Sequence, residues 1–170
     1  QLLEFAGKRN TANTEIELLD TTRLIESVIS LNRKFFEKEN MHIVADLRPN
    51  LSILGNKDQL EQVFMNMILN AKAAMDVGGT LRIGTSIDKG EILIQFADSG
   101  SGIPEEQINR IFDPFFSTKA DGTGLGLFVS YGIIEGHHGT IEVKSKVNHG
   151  TTFTIRLPIY NVTVNNKTNT

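Results

Sequence analysis

The stretch 80-TLRIGTSIDKGEILIQFADSGSGIP-104 decides the fold. Apolar residues alternate along both halves: Leu81, Ile83 and Ile87 in the first, then Ile92, Ile94 and Phe96 in the second. That period of two belongs to a strand with one buried face, and Asp88, Lys89 and Gly90 between the runs supply turn chemistry. The stretch therefore predicts a β-hairpin over 80–98, after which Gly100 and Gly102 turn the chain.

The same reading extends in both directions. Downstream, TIEVKSKV (140–147) and TTFTIRLPI (151–159) alternate likewise and are joined across NHG, predicting a second hairpin. Upstream, HIVADL (42–47) predicts a strand, and LRPNLSILGNKDQL supplies a loop, a short strand and a helix start at Asp58. Helices fall between. Asp20 predicts an N-cap for a helix carrying Leu24, Ile25, Val28, Leu31 and Phe35 and ending near residues 38–40. A second helix is expected from Asp58 to Met75 and a third from about Gly124 to Glu135, with a short helical piece around 105–111. Strands that arrive as hairpins, interleaved with helices, predict an α+β fold: a two-layer sandwich with a mixed, mostly antiparallel sheet and helices on one face.

Composition narrows the function. With 170 residues, 39% hydrophobic and 22% charged, the chain is sized for one water-soluble domain with its own core. A net charge of -3 without any basic stripe excludes a surface built to track nucleic acid, so any phosphate would be bound locally. The chain has no cysteine, which rules out disulfides, thiolate metal sites and cysteine nucleophiles and fits a reducing, cytoplasmic setting. It begins at Gln1 rather than methionine and is expected to be a piece of a longer protein, with any membrane anchor lying upstream.

Four segments carry candidate chemistry. In EQVFMNMILNAKAAM (61–75), Asn66 and Asn70 lie one turn apart beside an apolar stripe. They read either as a solvated face or as an amide oxygen, that of Asn70, offered to a hard cation such as Mg²⁺. In FADSGSGIP (96–104), Asp98 starts an ordinary Asp-Ser-Gly turn, or it accepts from the exocyclic amine of a purine lying against the backbone at Gly100 and Gly102. RIFDPFFSTK (110–119) places three phenylalanines in a polar loop, as a satellite core or a docking surface. It closes on Lys119, which is a solvated lysine or a mobile cation for a terminal phosphate. DGTGLGLFVSYG (121–132) sets Gly122, Gly124 and Gly126 ahead of an apolar helix, as a flexible connector or an anion-binding helix start.

Taken in order, these segments resemble the N box, first glycine box, F box and second glycine box of sensor histidine kinases. They resemble the catalytic ATP-binding domain shared with gyrase-type, heat-shock-chaperone and mismatch-repair ATPases. The resemblance covers roughly residues 20–158 and includes HHG (137–139) and GTTF (150–153). It implies a Bergerat-type fold, a five-stranded sheet backed by three helices, that binds ATP and Mg²⁺. It further implies that Asn70 is the metal ligand, Asn66 contacts phosphate and Asp98 reads the adenine amine. Gly102 and Ile103 would line the base, Thr123, Gly124, Leu125, Gly126 and Leu127 would hold the phosphates, and Thr151 would support the adenine through Asp98 or a water. Residues 104–122 would be the ATP lid. Ala73 stands in the nucleotide site where many relatives carry a lysine or another polar residue, which leaves Lys119 rather than Lys72 as the better phosphate cation.

Gyrase-like members place a glutamate base where this chain has Asn66, which favours transfer to an imidazole over water activation. None of His42, His137, His138 and His149 has the setting of a phosphoacceptor. The implied partners are a histidine-bearing dimerisation domain, a response regulator and a second copy of the full-length protein. Residues 1–19 are then the end of a dimerisation helix and a linker, 20–158 the catalytic domain, and 159–170 a disordered tail. An ATPase or serine-directed kinase of the same superfamily, or a non-catalytic nucleotide module, are the alternatives.

Overall fold

Alternating burial along the strands gives the molecule its two faces. In the computed structural model, which describes residues 15–75, 78–118 and 122–160, one five-stranded sheet runs in the order β2–β4–β5–β7–β6. Its strands are β2 (His42–Asp46), β4 (Thr80–Asp88), β5 (Glu91–Asp98), β6 (Thr140–Ser145) and β7 (Thr151–Pro158). Only the β2–β4 pair is parallel. The hairpin expected over 80–98 closes on Asp88 opposite Glu91. Leu81, Ile83, Ile92, Ile94, Phe96, Phe153, Ile155 and Leu157 point to one face and are buried.

Three helices cover that face: α1 (Thr21–Lys38), α2 (Lys57–Ala74) and α4 (Gly126–Gly136). The Asp20 side chain caps α1 by accepting from the Arg23 N–H at 3.1 Å, as its position predicts. Asn56 caps α2 in the same way, accepting from the Gln59 N–H at 2.9 Å, so this helix starts one residue earlier than Asp58. Ile25, Val28, Phe36, Leu60, Phe64, Met67, Ile68 and Ile134 fill the space between the layers. A one-turn helix α3 (Glu105–Ile108) lies in the long connection from β5 to α4. The α+β two-layer architecture expected from the hairpins is the one observed. No helix among the described residues is long and apolar enough to cross a membrane.

Two details extend the packed region beyond its expected ends. A second, two-stranded sheet pairs β1 (Glu17–Asp20) antiparallel with β3 (Ser52–Gly55), so a strand occupies part of the segment read as linker. At the other end, Ile159 and Tyr160 donate backbone N–H groups to the carbonyls of Gly90 and Ser52, at 3.2 and 2.8 Å. Both residues lie in the stretch read as tail. The helix end expected at 1–8 and the tail from 161 onward lie outside the described residues.

Candidate functional site

The exposed side of α2 carries the site's first wall. While Val63, Phe64, Met67 and Ile68 face the sheet, Asn66, Asn70 and Ala73 line a cleft of about 870 Å³. Three other segments close around it: Asp98, Gly102 and Ile103 after β5; Thr151 at the start of β7; and Gly122, Thr123, Gly124, Gly126 and Leu127 leading into α4. Elements separated by tens of residues in the sequence converge here because α2, β5, β7 and α4 all present ends to one edge of the sandwich.

Two candidates lie off this wall. Gly100 is buried rather than exposed to a ligand; a Cβ there would sit 2.5 Å from the Ala74 carbonyl oxygen, and the neighbouring Ser101 N–H donates to that oxygen at 2.8 Å. Its small size lets the chain cross the end of α2, and Gly100 is not among the residues that line the cleft. Leu125 is the residue preceding α4 and does not line the cleft. Lys119 lies outside the described residues. Lys72 points elsewhere: its Nζ donates to Glu39 Oε1 at 2.6 Å.

The start of α4 also differs from the expected one. Gly124 has φ +67°, in the left-handed region, and a Cβ there would lie 2.4 Å from the Phe115 carbonyl carbon. The Phe115 N–H donates to the Gly124 carbonyl at 3.0 Å, so these two loop segments are pressed together. The helix therefore begins at Gly126 rather than Gly124, and its first-turn amides, which receive no side-chain cap among the described residues, belong to the part of the chain that lines the cleft. Gly126 is different: the nearest atoms to a Cβ there would be those of the Asn66 side chain, at 3.7 Å, an ordinary contact.

The polar atoms of the wall are specific in what they still offer. Asn66 Nδ2 donates to the Gly126 carbonyl at 3.2 Å and to Ser130 Oγ at 3.1 Å, which uses both amide protons and ties α2 to α4. The group left on Asn66 is its carbonyl oxygen, an acceptor. Asn70 Nδ2 is buried with no hydrogen-bond partner among the described residues. An orphaned buried amide costs about 1–3 kcal/mol. Asp98 Oδ1 accepts from the Gly100 N–H at 2.8 Å and from the Thr151 N–H at 3.2 Å, so the fold locks this carboxylate's orientation. The link between Thr151 and Asp98 runs through the backbone amide, because the Thr151 hydroxyl pairs with Ser145 instead, at 2.8 Å. Asp98 is the one charged side chain among the described lining residues.

The three phenylalanines of 110–119 divide. Phe115 is 63% exposed, Phe112 packs on Tyr131 with ring centroids 5.6 Å apart, and Phe116 lines the cleft beneath the Arg110 guanidinium, 4.8 Å from its ring centroid. On α4 the hydrogen bond that Tyr131 donates to the Glu135 carboxylate, and then that carboxylate's charge, hold the phenol above its ordinary 10.0. Sequence reasoning missed Leu69, Ala74, Ser101 and Phe153 as lining residues and placed Gln107 and Ile111 only within the lid read over 104–122. Phe153 and Ile111 carry only the signal of core residues, and nothing local to Leu69 or Gln107 marks them. Of the histidines, His137 is buried and structural: Nε2 accepts from the Asn56 N–H at 3.0 Å, which leaves Nδ1, 2.7 Å from the Ile133 carbonyl, to carry the proton.

Comparison with known proteins gives three consistent findings. Residues 55–161 match the family model described as histidine kinase-, DNA gyrase B- and HSP90-like ATPase. Among curated relatives, sporulation kinase A of Bacillus subtilis (strain 168) is 40% identical over 143 residues, covering 82% of this chain and 22% of the relative. The sensor histidine kinase ZraS of Escherichia coli (strain K12) is 44% identical over 159 residues, covering 94% of this chain and 34% of the relative. The chain thus spans between about a fifth and a third of the length of these relatives. Among solved structures, the nucleotide-free catalytic domain of histidine kinase ThkA superposes with a TM-score of 0.79 at 31% identity, covering 85% of this chain and 96% of that one. ThkA has also been solved in complex with the response regulator TrrA; that structure matches with a TM-score of 0.76 at 25% identity, covering 94% of this chain and 45% of the other.

Proposed function

Because the chain belongs to the histidine kinase-, DNA gyrase B- and HSP90-like ATPase family, as the ATP-binding domain of a sensor histidine kinase, we propose that it phosphorylates a histidine. The acceptor histidine is on a dimerisation domain outside this chain, in a homodimeric full-length protein, and the phosphoryl group passes on to a response regulator. The observation that carries this reading is the convergence of Asn66, Asn70, Asp98, Thr151, Gly122, Thr123, Gly124, Gly126 and Leu127 on one cleft of about 870 Å³.

The residues divide the work. Asp98 accepts from the adenine amine; its carboxylate is already oriented by two backbone amides. Gly102 and Ile103 line the base, and the first-turn amides of α4, with the backbone from Thr123 to Leu127, hold the phosphates. No group of three or more His, Cys, Asp or Glu among the described residues could hold a metal ion by itself. A cation here fits best as Mg²⁺ arriving with phosphate oxygens, to which Asn70 adds one amide oxygen without adding negative charge. When bound, that ion neutralises charge on the triphosphate. Asn66 offers only its carbonyl oxygen, so it suits the cation or its water shell rather than a phosphate oxygen. Lys119, at the end of the lid, supplies a protein cation for the terminal phosphate.

Transfer then rests on positioning and charge stabilisation. Asn66 stands where the resemblance places a carboxylate base in gyrase-like members, and its one uncommitted polar atom, an amide oxygen, is too weakly basic to take a proton from water. The test is Asn70→Asp. Calorimetric titration of the unaltered chain with ATP and Mg²⁺ should show binding, and the variant should phosphorylate a supplied acceptor domain at least ~10-fold more slowly while keeping its melting profile. An unchanged rate would remove Asn70 from the mechanism.

A further inference from the structure

Ser145, the last residue of β6, belongs to none of the motifs, yet its hydroxyl joins three parts of the cleft's rim. It accepts from the Ile103 N–H at 2.8 Å, lies 3.0 Å from the Gly150 carbonyl oxygen and lies 2.8 Å from Thr151 Oγ1. A serine hydroxyl has one proton and two lone pairs. The Gly150 carbonyl can only accept, so it takes the Ser145 proton; the Ile103 amide can only donate, so it fills one lone pair. Thr151 must therefore donate into the other. Its single proton is turned toward Ser145, and its oxygen is left as an acceptor on the wall it shares with Asp98, its cross-strand partner.

We propose that Ser145 is a positioning residue for base recognition, which fixes the Thr151 hydroxyl as an acceptor so that Thr151 and Asp98 together take both protons of a purine 6-amine. The Thr151 contact is direct or made through one bridging water. Two acceptors side by side match an amine and repel a 6-carbonyl, whereas a Thr151 hydroxyl free to rotate could accept from the amine or donate to the carbonyl. The inference rests on the reading that this cleft holds ATP, and it adds a selectivity device to that site.

The experiment compares binding of ATP with that of the triphosphate of purine riboside, which lacks the 6-amine, by calorimetry in the presence of Mg²⁺. Ser145→Ala should weaken ATP about 3–10-fold, the range of one neutral hydrogen bond, and change the deaminated analogue less than twofold. Ser145→Thr, which keeps the hydroxyl, should retain the ATP affinity of the unaltered protein. Ser145→Cys keeps the volume but supplies only a weak acceptor, and should repeat the selective loss if the alanine variant is too unstable to assay. Equal loss for both nucleotides would overturn the proposal, because Ser145 would then merely hold Ile103 in place. An unchanged ATP affinity in the alanine and cysteine variants would overturn it as well. If the unaltered protein bound no ATP, the failure would lie with the functional reading instead.

Discussion

At the scale of single residues, the glycines near the cleft show that one residue type serves opposite purposes within three positions. Gly124 is required by the fold: its left-handed backbone and the contact of its absent Cβ with the Phe115 backbone leave no room for a side chain. Gly126 has ordinary space, facing Asn66 at 3.7 Å, and lines the cleft, so a side chain there is expected to intrude on an occupant rather than on the fold. Gly124→Ala is therefore expected to cost about 1–3 kcal/mol locally and to loosen the Phe115–Gly124 backbone bond. Limited proteolysis should nick the segment around 112–118 several-fold faster in that variant. Gly126→Ala should leave the nicking rate unchanged and instead weaken ATP. Equal acceleration by both substitutions would mean that the two glycines share a structural role. Read from sequence, these glycines formed one motif, a flexible connector or an anion-binding helix start, and the division between Gly124 and Gly126 was not legible, because a close approach between residues nine positions apart leaves no local signal.

At the scale of elements, α2 and α4 are tied at both ends of α4. Near its start Asn66 of α2 donates to Gly126 and to fully buried Ser130; beyond its end His137 accepts from the Asn56 N–H that precedes α2. The two ties lie about 15 Å apart along an 11-residue helix, so they separate function from stability. His137→Leu removes the acceptor of the Asn56 amide inside the core, and urea denaturation should show a loss of about 1–3 kcal/mol. Nucleotide affinity should stay within twofold; a large loss would mean that the far end of α4 sets the geometry of the cleft. The elements themselves were legible in the sequence where their signal is local. The period of two over 80–98 and the apolar stripe from Leu60 to Ala71 placed β4, β5 and α2 within one or two residues. β1 was not legible, because ELLD buries only Leu19 and finds its partner in β3, more than thirty residues later. The roles of Phe112, Phe115 and Phe116 were not legible either, since which aromatic turns inward depends on Tyr131, Arg110 and the cleft.

At the scale of the whole molecule, the cleft draws on four separate stretches of chain, so a nucleotide bound there must stabilise the fold it bridges. Binding to the native state alone adds RT ln(1 + [L]/Kd), about 2.7 kcal/mol at a ligand concentration 100-fold above Kd. For a domain of this size that corresponds to a rise in melting temperature of about 5–10 °C. Asp98→Asn separates this linkage from the fold. The asparagine oxygen can still accept from the Gly100 and Thr151 amides that now orient the carboxylate, so the variant without nucleotide should melt within about 2 °C of the unaltered protein. What it loses is the charge on its bond to the adenine amine, and its remaining proton donors face that amine unfavourably. A charge-assisted bond contributes about 1.5–3 kcal/mol, so affinity should fall at least tenfold. At the same ATP and Mg²⁺ concentrations the thermal shift should then drop to about half or less. An equal shift in both proteins would place adenine away from Asp98, and no shift in either at millimolar nucleotide would mean that the cleft does not hold ATP.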